Sequence, residues 1–310
     1  LRFEITIHEV EDSSSLNEKK RFDEFISTDS HLTPSLAIFG HMSKNKAPIG
    51  IFDSGIGGLT VASAIKRVLP NESFVYFGDT AHLPYGDKSP ESIRSYSRRI
   101  AEFLIDKQCK IIVIACNTAS AHAFKEVQSH VKIPVVNVID PVASLIAHRY
   151  KQGSIGIIGT KGTIATRVYP KRIQKLNPAL TVKSLATPLL APMIEEGYFN
   201  NAISKTIIHS YLSKPALKGI KALVLGCTHY PMIKKEVADF YRNAAVDIID
   251  GSQVAAEAVK AILKEHKLLR KTSHKEKDHF YVSDFTASFE KSTRDFFGSR
   301  INLNEARIWD

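Results

Sequence analysis

Short apolar runs alternate with amphipathic stretches along most of this chain. Residues 49–52, 73–77, 110–115, 135–138, 154–158, 182–185, 221–225 and 246–249 read as strands. Between them, apolar positions recur at helical spacing, and the spacing predicts helices over 59–69, 90–106, 120–131, 141–150, 163–176, 192–196, 201–212, 233–242 and 252–264. In 90–106 the apolar positions are Ile93, Ile100, Phe103 and Leu104, and Pro70 closes the helix before it. After a charged stretch at 265–278, a strand at 279–282 and a helix at 288–297 end the pattern. Strands that alternate with helices in this way predict parallel α/β sheets. Ligands in such folds sit beyond the carboxyl ends of the strands. Asp53, Cys116 and Cys227 fall at such ends.

The first 45 residues break the pattern. They carry five Lys or Arg against eight Asp or Glu, and 9–21 is polar and Ser-rich. A segment with so little to bury is expected to be disordered. Leu1 to Val10 holds Arg2, Glu4 and Glu9 and does not read as a secretory signal. Met42 lies just before the first strand, so a start at Met42 and a regulatory extension both fit. With 310 residues, 44% of them hydrophobic and 24% charged, the chain has material for about two domains of ~150 residues. No apolar run approaches the ~18 residues of a membrane span.

The formal charge is +10. A basic balance admits nucleic acid as a partner. The lysines and arginines are spread along the chain, however, which favours a lysine-rich soluble surface. A positive field also draws in small anions. Three cysteines do not make a disulfide framework. A reducing cytoplasm fits free thiols best.

Two of those cysteines share a setting. One ends the run Ile111-Ile-Val-Ile-Ala-Cys116-Asn-Thr-Ala-Ser, the other Ala222-Leu-Val-Leu-Gly-Cys227-Thr-His-Tyr-Pro. Each follows an apolar strand and a small residue, and precedes small polar ones. A thiol at a helix N-terminus is activated by the dipole and the free amides. Two such thiols on two similar lobes would face each other across a cleft, as proton removal and return at one carbon require. Cys109, in a Gln-Cys-Lys turn, reads as a bystander.

The other candidates are weaker alone. Asp53-Ser54-Gly55-Ile56-Gly57-Gly58 joins a strand to a helix but matches neither G-x-G-x-x-G nor G-K-[ST]. It reads either as a simple helix cap or as a loop that binds a carboxylate, with Asp53 aimed at an ammonium or a thiol. Asp79-Thr-Ala-His-Leu-Pro84-Tyr85-Gly86 reads as a turn with exposed amides. Zinc is disfavoured, because Cys227 and His229 have no second ligand cluster. A one-thiol hydrolase leaves Cys116 unexplained, and the C-x-x-C of a redox pair is missing.

Five motifs in order, from Gly50-Ile-Phe-Asp-Ser-Gly-Ile-Gly-Gly-Leu-Thr-Val61 through Pro84-Tyr-Gly86, Ala115-Cys-Asn-Thr-Ala-Ser-Ala121 and Gly159-Thr-Lys-Gly-Thr-Ile164 to Leu225-Gly-Cys-Thr-His-Tyr-Pro231, resemble the glutamate racemases. The resemblance runs from about Ile49 to Leu263. It implies two similar doubly wound parallel-sheet α/β lobes with the active site in the cleft between them. The lobes would span 46–140 plus 249–310 and 141–248, after an extension at 1–45. It implies a cofactor-independent enzyme that interconverts L- and D-glutamate and supplies D-glutamate for peptidoglycan. By resemblance the catalytic residues are Cys116 and Cys227, with Asp53 assisting the first and His229 and Glu195 the second. Substrate contacts fall on Asp53 and Ser54, Tyr85 and Gly86, Asn117 and Thr118, and Thr228 and His229. Cys227 would serve L-glutamate and Cys116 D-glutamate. No metal, membrane or nucleic acid is implied, a homodimer is, and contact with DNA gyrase finds no support in the residues. Aspartate racemases of the same superfamily stay open as an alternative, since pocket length separates the two.

Overall fold

The structure, a computed structural model, describes residues 45–272 and 277–309. The expected disorder of 1–45 therefore falls, but for Asn45, outside the described residues. In chain order the elements are β1 (Ile49–Asp53), α1 (Leu59–Val68), β2 (Phe74–Gly78), α2 (Pro90–Asp106), β3 (Ile111–Ile114), α3 (Asn117–His130), β4 (Val135–Asn137) and α4 (Ile139–Arg149). They continue with β5 (Gly153–Gly159), α5 (Lys161–Ala165), α6 (Val168–Leu176), β6 (Leu180–Ala186), α7 (Leu190–Glu195), α8 (Ala202–Leu212) and β7 (Ile220–Gly226). The last are α9 (Lys234–Phe240), β8 (Asp247–Asp250), α10 (Gly251–Glu265), β9 (His279–Val282), α11 (Ala287–Phe297) and β10 (Leu303–Glu305).

Residues of β1, β2 and β3 are buried at every position. That is why these strands read as unbroken apolar runs rather than alternating ones: helices cover both faces of a parallel sheet. The helices show one apolar face each. In α2 the buried positions are Ile93, Ser97, Ile100, Ala101 and Leu104. Ser89 caps that helix by accepting from Ser92 N at 3.2 Å, and Pro90 takes the first helical position, where no N–H is needed. Each buried Ile or Leu on this face contributes roughly 1.5–3 kcal/mol.

Two sheets result, parallel throughout. The first has the order β10-β9-β2-β1-β3-β4 and the second β6-β5-β7-β8. In the first, β1 has its successor β2 on one side and β3 on the other; in the second, β5 stands likewise between β6 and β7. Such a reversal opens a crevice at the carboxyl ends of the strands, where a ligand fits. Each sheet therefore brings one crevice to the molecule. One apolar cluster runs from Ile49 and Ile51 in the first sheet to Leu223 and Leu225 in the second, and α10 packs against both α1 and α4. The sheets are thus held together by shared core.

The chain returns to the first sheet after α10. A buried ionic knot marks the place: Lys110 Nζ donates to Glu72 Oε2 at 2.5 Å, and Arg270 N donates to Glu72 Oε1 at 2.8 Å. Lys110 Nζ also reaches Asn45 O at 2.8 Å. β9 then adds to β2, and β10 to β9. The three-residue β10 was not expected from the sequence. Among the described residues, no helix is long and apolar enough to cross a membrane.

Candidate active site

The connection from β1 to α1 runs between the two crevices. Asp53, the last residue of β1, is fully buried and accepts from Gly55 N at 3.1 Å through Oδ2. Its Oδ1 accepts from the Thr228 hydroxyl at 3.4 Å, which ties the loop to the end of the second sheet. Thr60, at the start of α1, donates to Thr228 O at 2.9 Å. Glycine is required at one point here. A Cβ on Gly57 would lie 2.4 Å from His229 Cε1 and 2.6 Å from Thr228 Oγ1, closer than atoms can pack.

Cys116 follows β3 and is the N-cap of α3; its sulfur accepts from Ala119 N at 3.4 Å. The thiol donates to the Ser54 hydroxyl at 3.6 Å. Burial, aided by the charge of Asp53, pushes the Cys116 thiol up to about 12, although the Ala119 amide and Ser54 pull the other way. Burial also raises the Asp53 carboxyl above the usual carboxylate range, against the pull of His229.

Cys227 follows β7 at the corresponding end of the second sheet. It is not the cap of a long helix; a 3₁₀ turn at Tyr230–Ile233 comes next. Its sulfur lies 3.6 Å from His229 Nδ1. On the other side of the ring, His229 Nε2 stands 2.9 Å from Glu195 Oε1, an ion-pair contact rather than an aligned hydrogen bond. Burial works against charge on His229. The sulfur of Cys227 and the carboxylate of Glu195 outweigh it, so the imidazole holds its proton well above its ordinary range.

The remaining residues expected at the site converge on the same place. Asn117 opens α3, and its Oδ1 accepts from the Tyr169 hydroxyl at 2.8 Å. The hydroxyl of Thr118 meets those of Thr160 at 2.9 Å and Thr163 at 3.0 Å. Thr160 in turn abuts Gly86, where an added Cβ would meet Thr160 Cβ at 2.9 Å. Tyr85 is buried, with its hydroxyl turned onto Asp79 at 2.6 Å, so the turn would offer backbone groups.

Thr160, Thr163 and Tyr169 were not singled out from the sequence. The first two stood in the Gly159-Thr-Lys-Gly-Thr-Ile164 motif, but their partner Thr118 is more than 40 residues away. Between the lobes, the space lined by Asn117, Tyr169, Cys227 and Thr228 measures about 10 Å³. That is about the room one water needs. A cavity of about 320 Å³, lined by Pro48, Ser73, Lys107 and Tyr281, lies at the opposite, amino ends of β1 and β2, far from this chemistry.

Such an arrangement provides two sulfurs on separate sheets, one buried carboxylate between them, and one charged imidazole. Helix N-termini and hydroxyls line the gap and favour an anionic ligand. The set suits acid–base chemistry at one carbon more than nucleophilic hydrolysis, because the imidazole attends only one of the two thiols.

A family model for Asp/Glu/Hydantoin racemases matches residues 58–259. A glutamate racemase from Geobacter metallireducens is 44% identical over 253 residues, which are 82% of this chain and 93% of that protein. One from Chlorobaculum parvum is 43% identical over 84% of this chain and 96% of that protein. Among solved structures, the glutamate racemase of Francisella tularensis in complex with D-glutamate has a TM-score of 0.80 at 39% identity, covering 86% of this chain and 99% of that one.

Proposed function

Since the chain belongs to the Asp/Glu/hydantoin racemase family, among its glutamate racemases, we propose that Cys116 and Cys227 interconvert L- and D-glutamate as two opposed acid–base groups. The observation that carries this reading is the placement of the two thiols. Each follows an interior strand of its own sheet; the Cys116 thiol meets Ser54 in the Asp53–Gly58 loop, and Thr228, the neighbour of Cys227, meets Asp53.

The Cα–H of an amino acid is a very weak acid, so its removal needs a placed base and stabilisation of the charge that builds on the carboxylate. One sulfur, as thiolate, takes the proton from one face. The other, as thiol, returns a proton to the opposite face, and the pair ends with its protonation reversed. Positioned groups of this kind supply about 10²–10⁴-fold each. Cys227 serves L-glutamate and Cys116 D-glutamate. Asp53 accepts the proton that Cys116 must lose, and its raised carboxyl, set by burial, suits that exchange. His229, charged and backed by Glu195, acts differently at the other sulfur: its positive charge stabilises Cys227 as thiolate. Tyr85–Gly86 amides, Ser54, Asn117, Thr118 and Thr228 hold the two carboxylates and the ammonium, adding electrostatic stabilisation. No cofactor is needed in this scheme. The product fits the D-glutamate demand of peptidoglycan, in a reducing cytoplasm that keeps both thiols free.

Cysteine variants test it. Cys116→Ala and Cys227→Ala should each abolish racemisation, and Cys109→Ala should not. Serine at either position still donates a proton but is a poor base. A glutamate analogue with hydroxyl on its nitrogen needs only one deprotonation: the Cα–H electrons form a C=N bond and hydroxide leaves. Cys116→Ser should retain elimination from the L-analogue and Cys227→Ser from the D-analogue. Reversed preferences would reverse the faces. A shared preference would remove the two-sided scheme.

A further inference from the structure

Asp79 lies just beyond β2, fully buried, and its carboxylate is shared among three groups. The Tyr85 hydroxyl donates to Oδ2 at 2.6 Å, and the Ser283 hydroxyl donates to Oδ1 at 2.8 Å. His82 Nδ1 lies 2.9 Å from one oxygen and 3.0 Å from the other. A carboxylate only accepts, so the proton of the ring belongs on Nδ1. Three side-chain partners thus meet the lone pairs of this buried group.

Ser283 comes from the C-terminal segment, directly after β9. That segment grips the end of β2 and the 79–86 loop at several further points. The Ser283 oxygen accepts from Ala81 N at 2.9 Å, Ser283 N donates to Gly78 O at 3.1 Å, and Asp284 N donates to the Thr80 hydroxyl at 2.9 Å. From outside, Tyr96 stacks on the His82 ring at 4.1 Å, and Trp309 meets that ring edge-on at 4.6 Å. Arg99 Nε donates to Ile308 O at 2.8 Å and anchors the residue before Trp309. The end of the chain thus braces one loop, and that loop carries Tyr85 and Gly86.

We propose that Asp79 is a positioning residue for glutamate binding: through the Tyr85 hydroxyl it fixes the Tyr85–Gly86 turn, and Ser283 and Trp309 fix Asp79 and His82 from the C-terminal side. The inference rests on the reading of that turn as a carboxylate-binding element of a glutamate racemase. It gives the C-terminal segment beyond residue 279 a part in substrate binding.

Tyr85→Phe and Asp79→Asn remove one hydrogen bond from its two ends. Each should raise KM for glutamate about tenfold, the size expected of a lost hydrogen bond to a charged group, with kcat nearly unchanged. The double variant should be no worse than the worse single one, because both act through one contact. Ser283→Ala and Trp309→Phe should move KM in the same direction by less. They also carry the comparison, paired with Tyr85→Phe, if Asp79→Asn does not fold. Unchanged KM in folded variants whose melting temperatures fall, or effects that multiply in the double variant, would overturn the proposal. Wild-type enzyme in the same assay separates the two levels of the argument. Without wild-type turnover of glutamate, both readings fall; with it, an unmoved KM removes the Asp79 brace alone.

Discussion

Cys227 Sγ and His229 Nδ1 lie 3.6 Å apart, whereas Cys116 Sγ faces the Ser54 hydroxyl at the same 3.6 Å. The two thiols of a near-symmetric site therefore have unlike partners. One has a charged imidazole and the other a neutral hydroxyl, with the Asp53 carboxylate nearby. In the proposed reaction this difference should make the two halves respond differently to pH and to substitution.

His229 holds its proton well above its ordinary range because the Cys227 sulfur and Glu195 outweigh the effect of burial. In the proposed scheme a charged His229 assists Cys227, so racemisation should fall as pH rises through that raised value. Glu195→Gln removes part of the support. The alkaline limb of the pH–rate profile should then move to lower pH, with a rate loss of about tenfold at neutral pH, less than the ~10²–10⁴-fold of a group that itself moves the proton, because Glu195 acts through His229. An alkaline limb unmoved by Glu195→Gln would separate it from His229.

Asp53 works against stability. Burial raises its carboxyl above its unfolded value, so the folded state holds the proton to higher pH than the unfolded one. The unfolded state then binds fewer protons between the two values, and stability falls as pH rises through that window. Asp53→Asn should lose about 10²-fold or more in turnover. It should also melt higher than wild type above the window, with the gain shrinking as pH is lowered toward about 4. A variant that melts lower at neutral pH would show that the Gly55 and Thr228 contacts outweigh burial.

Gly57→Ala should damage catalysis out of proportion to its size. The added methyl would enter the space of the His229 ring and the Thr228 hydroxyl, 2.4 and 2.6 Å away. Overpacking of this kind costs about 1–3 kcal/mol in stability. A displacement of about 1 Å in a catalytic group costs about 10²-fold in rate. Turnover close to wild type would mean that the second-sheet loop can yield without loss of function.

Strand ends were the legible part of the site. Asp53, Cys116 and Cys227 stand where continuous apolar runs stop, and parallel sheets buried on both faces write such runs plainly. Helix starts were less clear. The helix expected from residue 120 begins instead at Asn117, since Cys116 serves as the cap and Asn117 to Ala119 belong to the first turn of α3. The unlike settings of the two thiols were hidden, because the sequence after each looks similar and only Tyr230–Ile233 winds into a 3₁₀ turn. Contacts between distant segments were hidden altogether. Ser283 reaches Asp79 across 204 residues, and no local pattern encodes that. β10 is short and mostly exposed at a sheet edge, so it carries no apolar run to read.

In the proposed reaction two thiols flank one carbon from opposite sides. Protium L-glutamate incubated in D₂O tests it most directly, with Cα deuterium followed in both enantiomers during the first few per cent of conversion. Newly formed D-glutamate should carry solvent deuterium at Cα in nearly every molecule, while the remaining L-glutamate keeps its protium. D-glutamate that retains the original protium, or an L-glutamate pool that exchanges as fast as D-glutamate appears, would show one base serving both faces and contradict it.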